Sequence, residues 1–89
     1  MRRRPKYAQC VDQNQAEIVE ALRKAGCDVL FINVPADLLV GHRGKCFLVE
    51  CKLPEGGKPT PEQEKFRESW RGQYAIARTP EEALRAVGL

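Results

Sequence analysis

Pro35-Ala36-Asp37-Leu38-Leu39-Val40-Gly41-His42-Arg43-Gly44-Lys45-Cys46-Phe47-Leu48-Val49-Glu50-Cys51-Lys52 is the stretch on which the reading of this chain turns. Two short apolar runs flank a segment carrying two glycines, the pattern of a β-hairpin. Asp37, Glu50 and Lys52 interrupt those runs, and ionised groups rarely sit among strand residues unless they pair or hold a cation. If residues 41–44 form a four-residue turn, Val40 pairs with Lys45 and Asp37 stands opposite Leu48. Glu50 is then its diagonal neighbour on the same face, about 7–8 Å away at the backbone. Two carboxylate arms can close that gap around one cation, with ligand distances of about 2.1 Å for Mg²⁺. Lys52 follows on the same face, about 6.6 Å further along the strand. Cys51 points to the other side with Phe47 and Val49, so it contributes packing and a backbone carbonyl directed at the metal. A one-residue bulge would scramble this register.

Asp37, Glu50 and the Cys51 carbonyl are therefore the expected ligands of Mg²⁺ or Mn²⁺, with Lys52 beside them. Such a metal neutralises charge on a phosphorus-centred transition state and lowers the pKa of a bound water. The ammonium can orient that water or stabilise the developing charge. The bland alternative is a cross-strand ion pair on an exposed sheet face. Leu38, Leu39, Val40, Leu48 and Val49 argue for central strands, where a solvated ladder of charges is less expected.

Outward from the hairpin, residues 12–25 read as a first helix, with Val11, Ile18, Leu22 and Ala25 at helical spacing and Gly26 as the stop. Residues 27–34 are apolar on both faces at their centre, which suits a buried strand ending at Pro35. Strands follow at 37–40 and 45–53, then a flexible loop over 54–59. Thr60 caps a helix that begins at Pro61, runs to Arg71 and is stopped by Gly72. Residues 73–78 read as a fourth strand. Thr79-Pro80-Glu81-Glu82 repeats the start signal for a last helix ending near Val87. The order is αβββαβα, an α/β fold with a small mixed sheet flanked by helices.

With 89 residues, 43% hydrophobic and 30% charged, the composition is that of one small folded domain. The net charge of +3 is uneven, because Arg2, Arg3, Arg4 and Lys6 lie within the first six residues. Residues 1–10 are expected to be a basic arm ahead of a single domain over 11–89. Termini are solvated tails by default; the functional reading is an arm contacting phosphates. No apolar run follows the arginines, so no signal peptide or membrane span is expected, and the expected location is cytoplasmic. Cys10, Cys27, Cys46 and Cys51 form no Cys-x-x-Cys knuckle and His42 is the only histidine, which argues against structural zinc. Cys46 and Cys51 are expected on opposite faces, and the cysteines read as reduced and mostly buried.

Glu50-Cys51-Lys52 with Asp37 upstream resembles the PD-(D/E)XK (restriction-endonuclease-like) nuclease superfamily. The wider text resembles its small VRR-NUC branch, the virus-type replication and repair nucleases. It runs from Asp12-Gln13-Asn14-Gln15-Ala16-Glu17 through Asp37-Leu38-Leu39-Val40-Gly41 to Thr60-Pro61-Glu62-Gln63. The likeness extends from Asp12 to Leu84; Ala36 departs from the pattern, where that family usually carries proline. The resemblance implies a metal-dependent DNA endonuclease in which Glu17 is an additional acidic site residue and Gln63 lines the site from the second helix. It also implies a homodimer acting on branched DNA such as four-way junctions. Each residue has a rival reading: Glu17 as a surface charge paired with Lys24 or Arg23, and Gln63 as half of a helix capping box. Phe66 and Trp70 read as core, His42 as a surface histidine, and Tyr7 as a candidate for stacking on a base. Lys58, in the loop with Gly56 and Gly57, could touch the DNA backbone. The competing functional classes are a DNA-binding module without catalysis and an interaction subunit of a replication protein.

Overall fold

The computed structural model describes residues 6–54 and 59–89, and side chains from residue 13 onward. It is a small mixed α/β domain in the expected element order: α1 (Lys6–Lys24), β1 (Asp28–Phe31), β2 (Leu38–His42), β3 (Lys45–Cys51), α2 (Pro61–Ser69), β4 (Gln73–Ala77) and α3 (Pro80–Ala86). α1 starts earlier than expected, so residues 6–10, assigned to the arm on charge, belong to a helix. No glycine or proline interrupts residues 6–24. Gly26, at φ +96°, takes the left-handed conformation that ends the helix. α2 stops two residues sooner than expected because Trp70 is already extended, at ψ 126°.

The sheet order is β1-β2-β3-β4, antiparallel through the first three strands and parallel between β3 and β4. The hairpin turn is tighter than the expected four residues. Arg43 and Gly44 have φ of 52° and 79°, so the two central residues of the turn are both left-handed and His42 pairs with Lys45. Register moves by two residues, and Leu38 pairs with Val49. One step beyond, Asp37 comes opposite Glu50 instead of Leu48. Side chains alternate with a period of two, so this correction leaves every residue on its expected face.

One face of the sheet builds the core. Val29, Leu38, Val40, Phe47, Val49, Cys51 and Ala77 pack with Ile18, Val19 and Leu22 of α1 and with Ala83 and Val87 of α3. Leu38, Val40 and Val49 are fully buried there, each worth about 1.5–3 kcal/mol of transfer free energy. Cys27 and Cys51 are buried and Cys46 is exposed, all with free thiols, and Cys46 and Cys51 do face opposite sides.

The opposite face, with Leu39, Leu48, Glu50, Tyr74 and Ile76, is only partly covered. α2 lies over it and contains no buried residue. Phe66 stacks on Trp70 at 5.2 Å and meets Tyr74 at 5.8 Å, while Trp70 stays 42% exposed. The expectation of a core role for this pair is thus corrected: nothing described covers the outer side of α2. β1 also departs from expectation. Leu30 and Phe31 are 59% and 60% exposed because β1 is an edge strand, where an apolar run does not guarantee burial.

Candidate active site

Asp37 lies at the end of the β1–β2 connection, where its carbonyl accepts from the Ile32 amide at 3.0 Å. Its side chain reaches across to β3, and Oδ2 accepts the Cys51 backbone N–H at 2.8 Å. The Cys51 peptide is thereby brought to the acid. Glu50, opposite Asp37, is 6% exposed. Burial, then a hydrogen bond to the Asp37 carboxylate and its charge, push the Glu50 carboxyl up to about 8, against the opposing pull of Lys52. The neutral form of Glu50 is therefore favoured in the metal-free site, with burial as the largest cause.

Lys52 directs Nζ to Gln63 Oε1 at 3.0 Å. The same oxygen accepts the Thr60 N–H at 2.9 Å, while Thr60 Oγ1 accepts the Gln63 N–H at 3.2 Å. Gln63 is therefore both half of a capping box and the partner of Lys52; the two readings of this residue are compatible. Asn14, buried on α1, donates from Nδ2 to the Lys52 carbonyl at 2.6 Å and ties the helix to the strand end. On the other side of the strand, burial and then the charges of Asp37 and Glu50 push the Cys51 thiol up to about 12. It stays protonated, and its role is packing.

A cleft of about 330 Å³ opens beside the acids. Asn33, Val34 and Pro35 form one wall, Glu62, Gln63 and Phe66 the other, and Glu50 lies between them. The site therefore unites Asp37, Glu50, Lys52, Gln63 and the Cys51 peptide. Glu17 is exposed on α1, one turn after Asn14, and its side chain makes no hydrogen bond or ion pair among the described residues. Its rival pairing is not formed either, because Lys24 pairs with Glu20 at 3.0 Å and Arg23 donates to the Val29 carbonyl at 3.1 Å. Arg2, Arg3, Arg4 and Lys58, and the side chains of Lys6 and Tyr7, lie outside the described residues. Sequence reasoning missed Asn14. Its signal was present, since Asn14, Ile18 and Leu22 fall on one helical stripe at i, i+4 and i+8, and a polar residue in such a stripe needs a buried partner.

The residues present suit a hard divalent cation. The donors are carboxylate oxygens and the neighbouring thiol points away. Among the described residues no group of three or more His, Cys, Asp or Glu side chains is placed to hold a metal ion. Mg²⁺ sites commonly use only one or two carboxylates, the rest of the shell being water and substrate phosphate. No described helix is long and apolar enough to cross a membrane. Comparisons with known protein families, curated proteins and solved structures found no match.

Proposed function

We propose that this chain is a Mg²⁺- or Mn²⁺-dependent DNA endonuclease with a PD-(D/E)XK-type core. The observation that carries the reading is that Asp37 and Glu50 stand opposite each other across β2 and β3, with Lys52 two residues further on the same face, held by Gln63 beside the cleft that Glu50 lines. Asp37 and Glu50, with the Cys51 carbonyl, would hold the metal, which supplies Lewis-acid activation of water and charge neutralisation at phosphorus. Lys52 directs its ammonium into the site, held there by Gln63 Oε1, and serves the attacking water and the charge developing on the phosphoryl oxygens. Asn14 fixes the Lys52 backbone, so the lysine is positioned from two elements. Val34, Pro35 and Phe66 give the cleft apolar walls that restrict water around the reacting group.

Branched DNA cut by a homodimer is the substrate and assembly this reading favours. A domain of this size has little surface for gripping DNA alone, and a two-fold pair presents two sites to two strands. Exposed Leu30, Phe31 and Val34 along the β1 edge support association of two copies. Incubation of four-way-junction and plasmid DNA with the protein in Mg²⁺, Mn²⁺ or EDTA tests the proposal. Cleavage is expected with either metal, none in EDTA, and none by Lys52→Ala. Equal cleavage by wild type and Lys52→Ala would remove the catalytic assignment. Binding without cleavage under any divalent cation would leave the DNA-binding module.

A further inference from the structure

The acid cleft poses an electrostatic problem for its own substrate. Glu50 and Glu62 both line it, so a polyanionic strand must be held by cations placed beyond it. The sheet supplies such a row. Glu50 pairs with Ile76 and Cys51 with Ala77 in the parallel ladder, and the Lys52 N–H continues it to the Ala77 carbonyl at 3.0 Å. Arg78 thus stands beside Lys52 on the neighbouring strand, about 4.8 Å away at the backbone and on the same face. Its Nη1 donates to the Leu53 carbonyl at 3.0 Å, which pins the guanidinium next to the strand end that bears Lys52.

Arg78 in turn lines a second groove, of about 430 Å³, at the free edge of β4. Ile76 contributes from the face that carries Glu50, while Glu82, Arg85 and Ala86 contribute from α3. The carboxylate in it is already engaged, since Glu82 Oε1 accepts the Arg78 backbone N–H at 2.7 Å. Arg85 is exposed, and its side chain has no hydrogen bond or ion pair among the described residues. Guanidinium groups match phosphate oxygens in charge and in fork geometry.

We infer that this β4-edge groove is a seat for the phosphodiester backbone, with Lys52, Arg78 and Arg85 forming a cationic row that leads a nucleic-acid strand away from the acid cleft. The inference rests on the proposed action on DNA but not on cleavage, and binding alone tests it.

Anisotropy titrations of a labelled four-way junction in EDTA, at 50, 100 and 200 mM NaCl, compare wild type with Arg85→Ala and Arg85→Glu. Arg43→Ala is the charge-matched control, since Arg43 is exposed at the hairpin turn. One lost phosphate contact lowers the slope of log affinity against log salt by about 0.9. Treated as pure counter-ion release, that is about a 15-fold loss at 50 mM shrinking to about 4-fold at 200 mM. Arg85→Glu should lose more, and Arg43→Ala should keep the wild-type slope. A wild-type slope in Arg85→Ala, equal losses in Arg85→Ala and Arg43→Ala, or no salt-dependent binding by wild type overturns the groove. Binding with these slopes but no cutting in Mg²⁺ or Mn²⁺ upholds the groove and removes the nuclease. Cutting with an unaltered Arg85→Ala slope does the reverse.

Discussion

With its carboxyl pushed up to about 8, Glu50 must lose a proton before a divalent cation can use it as a ligand, so metal binding and pH are linked. With Glu50 at about 8, the apparent association constant scales as 1/(1 + 10^(8 − pH)) for one site and one proton. That factor is about 1/100 at pH 6, about 1/10 at pH 7 and about 1/2 at pH 8. The sign follows from the competent form being deprotonated: affinity tightens as pH rises, by about 50-fold from pH 6 to 8, and flattens above about 9. Calorimetric titration of Mn²⁺ into metal-free protein measures this directly. At pH 7, paired buffers of different ionisation enthalpy should report about 0.9 proton released per metal bound. A Kd that stays constant between pH 6 and 8, with no buffer-dependent heat, would refute the raised Glu50 carboxyl and with it the use of Glu50 as a ligand.

The same carboxyl makes the metal-free protein sensitive to alkali. Its folded-state pKa lies above the ordinary 4.5, so its contribution is complete below pH 4.5 and is lost as pH rises through about 8. Scanning calorimetry should show Tm lower at pH 8.5 than at pH 6 by at least about 4 °C, the shift of about 1 kcal/mol in a domain this small, and Glu50→Gln should flatten that difference. Thr60→Ala and Gln63→Ala should each cost about 1 kcal/mol of cap stability in urea unfolding. Cleavage should fall much further in Gln63→Ala, because Thr60→Ala leaves the Lys52 partner in place; equal cleavage by the two would deny Gln63 a role at the site. Gly44→Ala, at φ +79°, should destabilise by about 1 kcal/mol, and an unchanged urea midpoint would rule out the two-residue turn.

The αβββαβα order could be read residue by residue because its punctuation is local. Gly26, Thr60-Pro61 and Thr79-Pro80 act through their own backbone preferences, and both threonines do cap helices. That Asp37, Glu50 and Lys52 share a face was equally legible, since strand alternation has a period of two and a register error of two residues leaves it intact. The turn itself was misjudged because it places Arg43, a non-glycine residue, in the left-handed region, which no local preference announces.

Other features depend on what lies alongside an element. The apolar run of β1 and the Phe66–Trp70 pair stay partly exposed because β1 falls at the sheet edge and nothing described packs over the outer side of α2, and no residue within those segments encodes its neighbour. Asn14 meets Lys52 across 38 residues and Arg78 meets Leu53 across 25. Pattern along the chain thus determined the elements and the identity of the three charged residues. Tertiary structure alone decided that Glu50 is buried opposite Asp37, which raises its carboxyl, and that Arg78 stands beside Lys52, because burial and electrostatic coupling depend on distances of a few ångströms that exist only once the strands have paired.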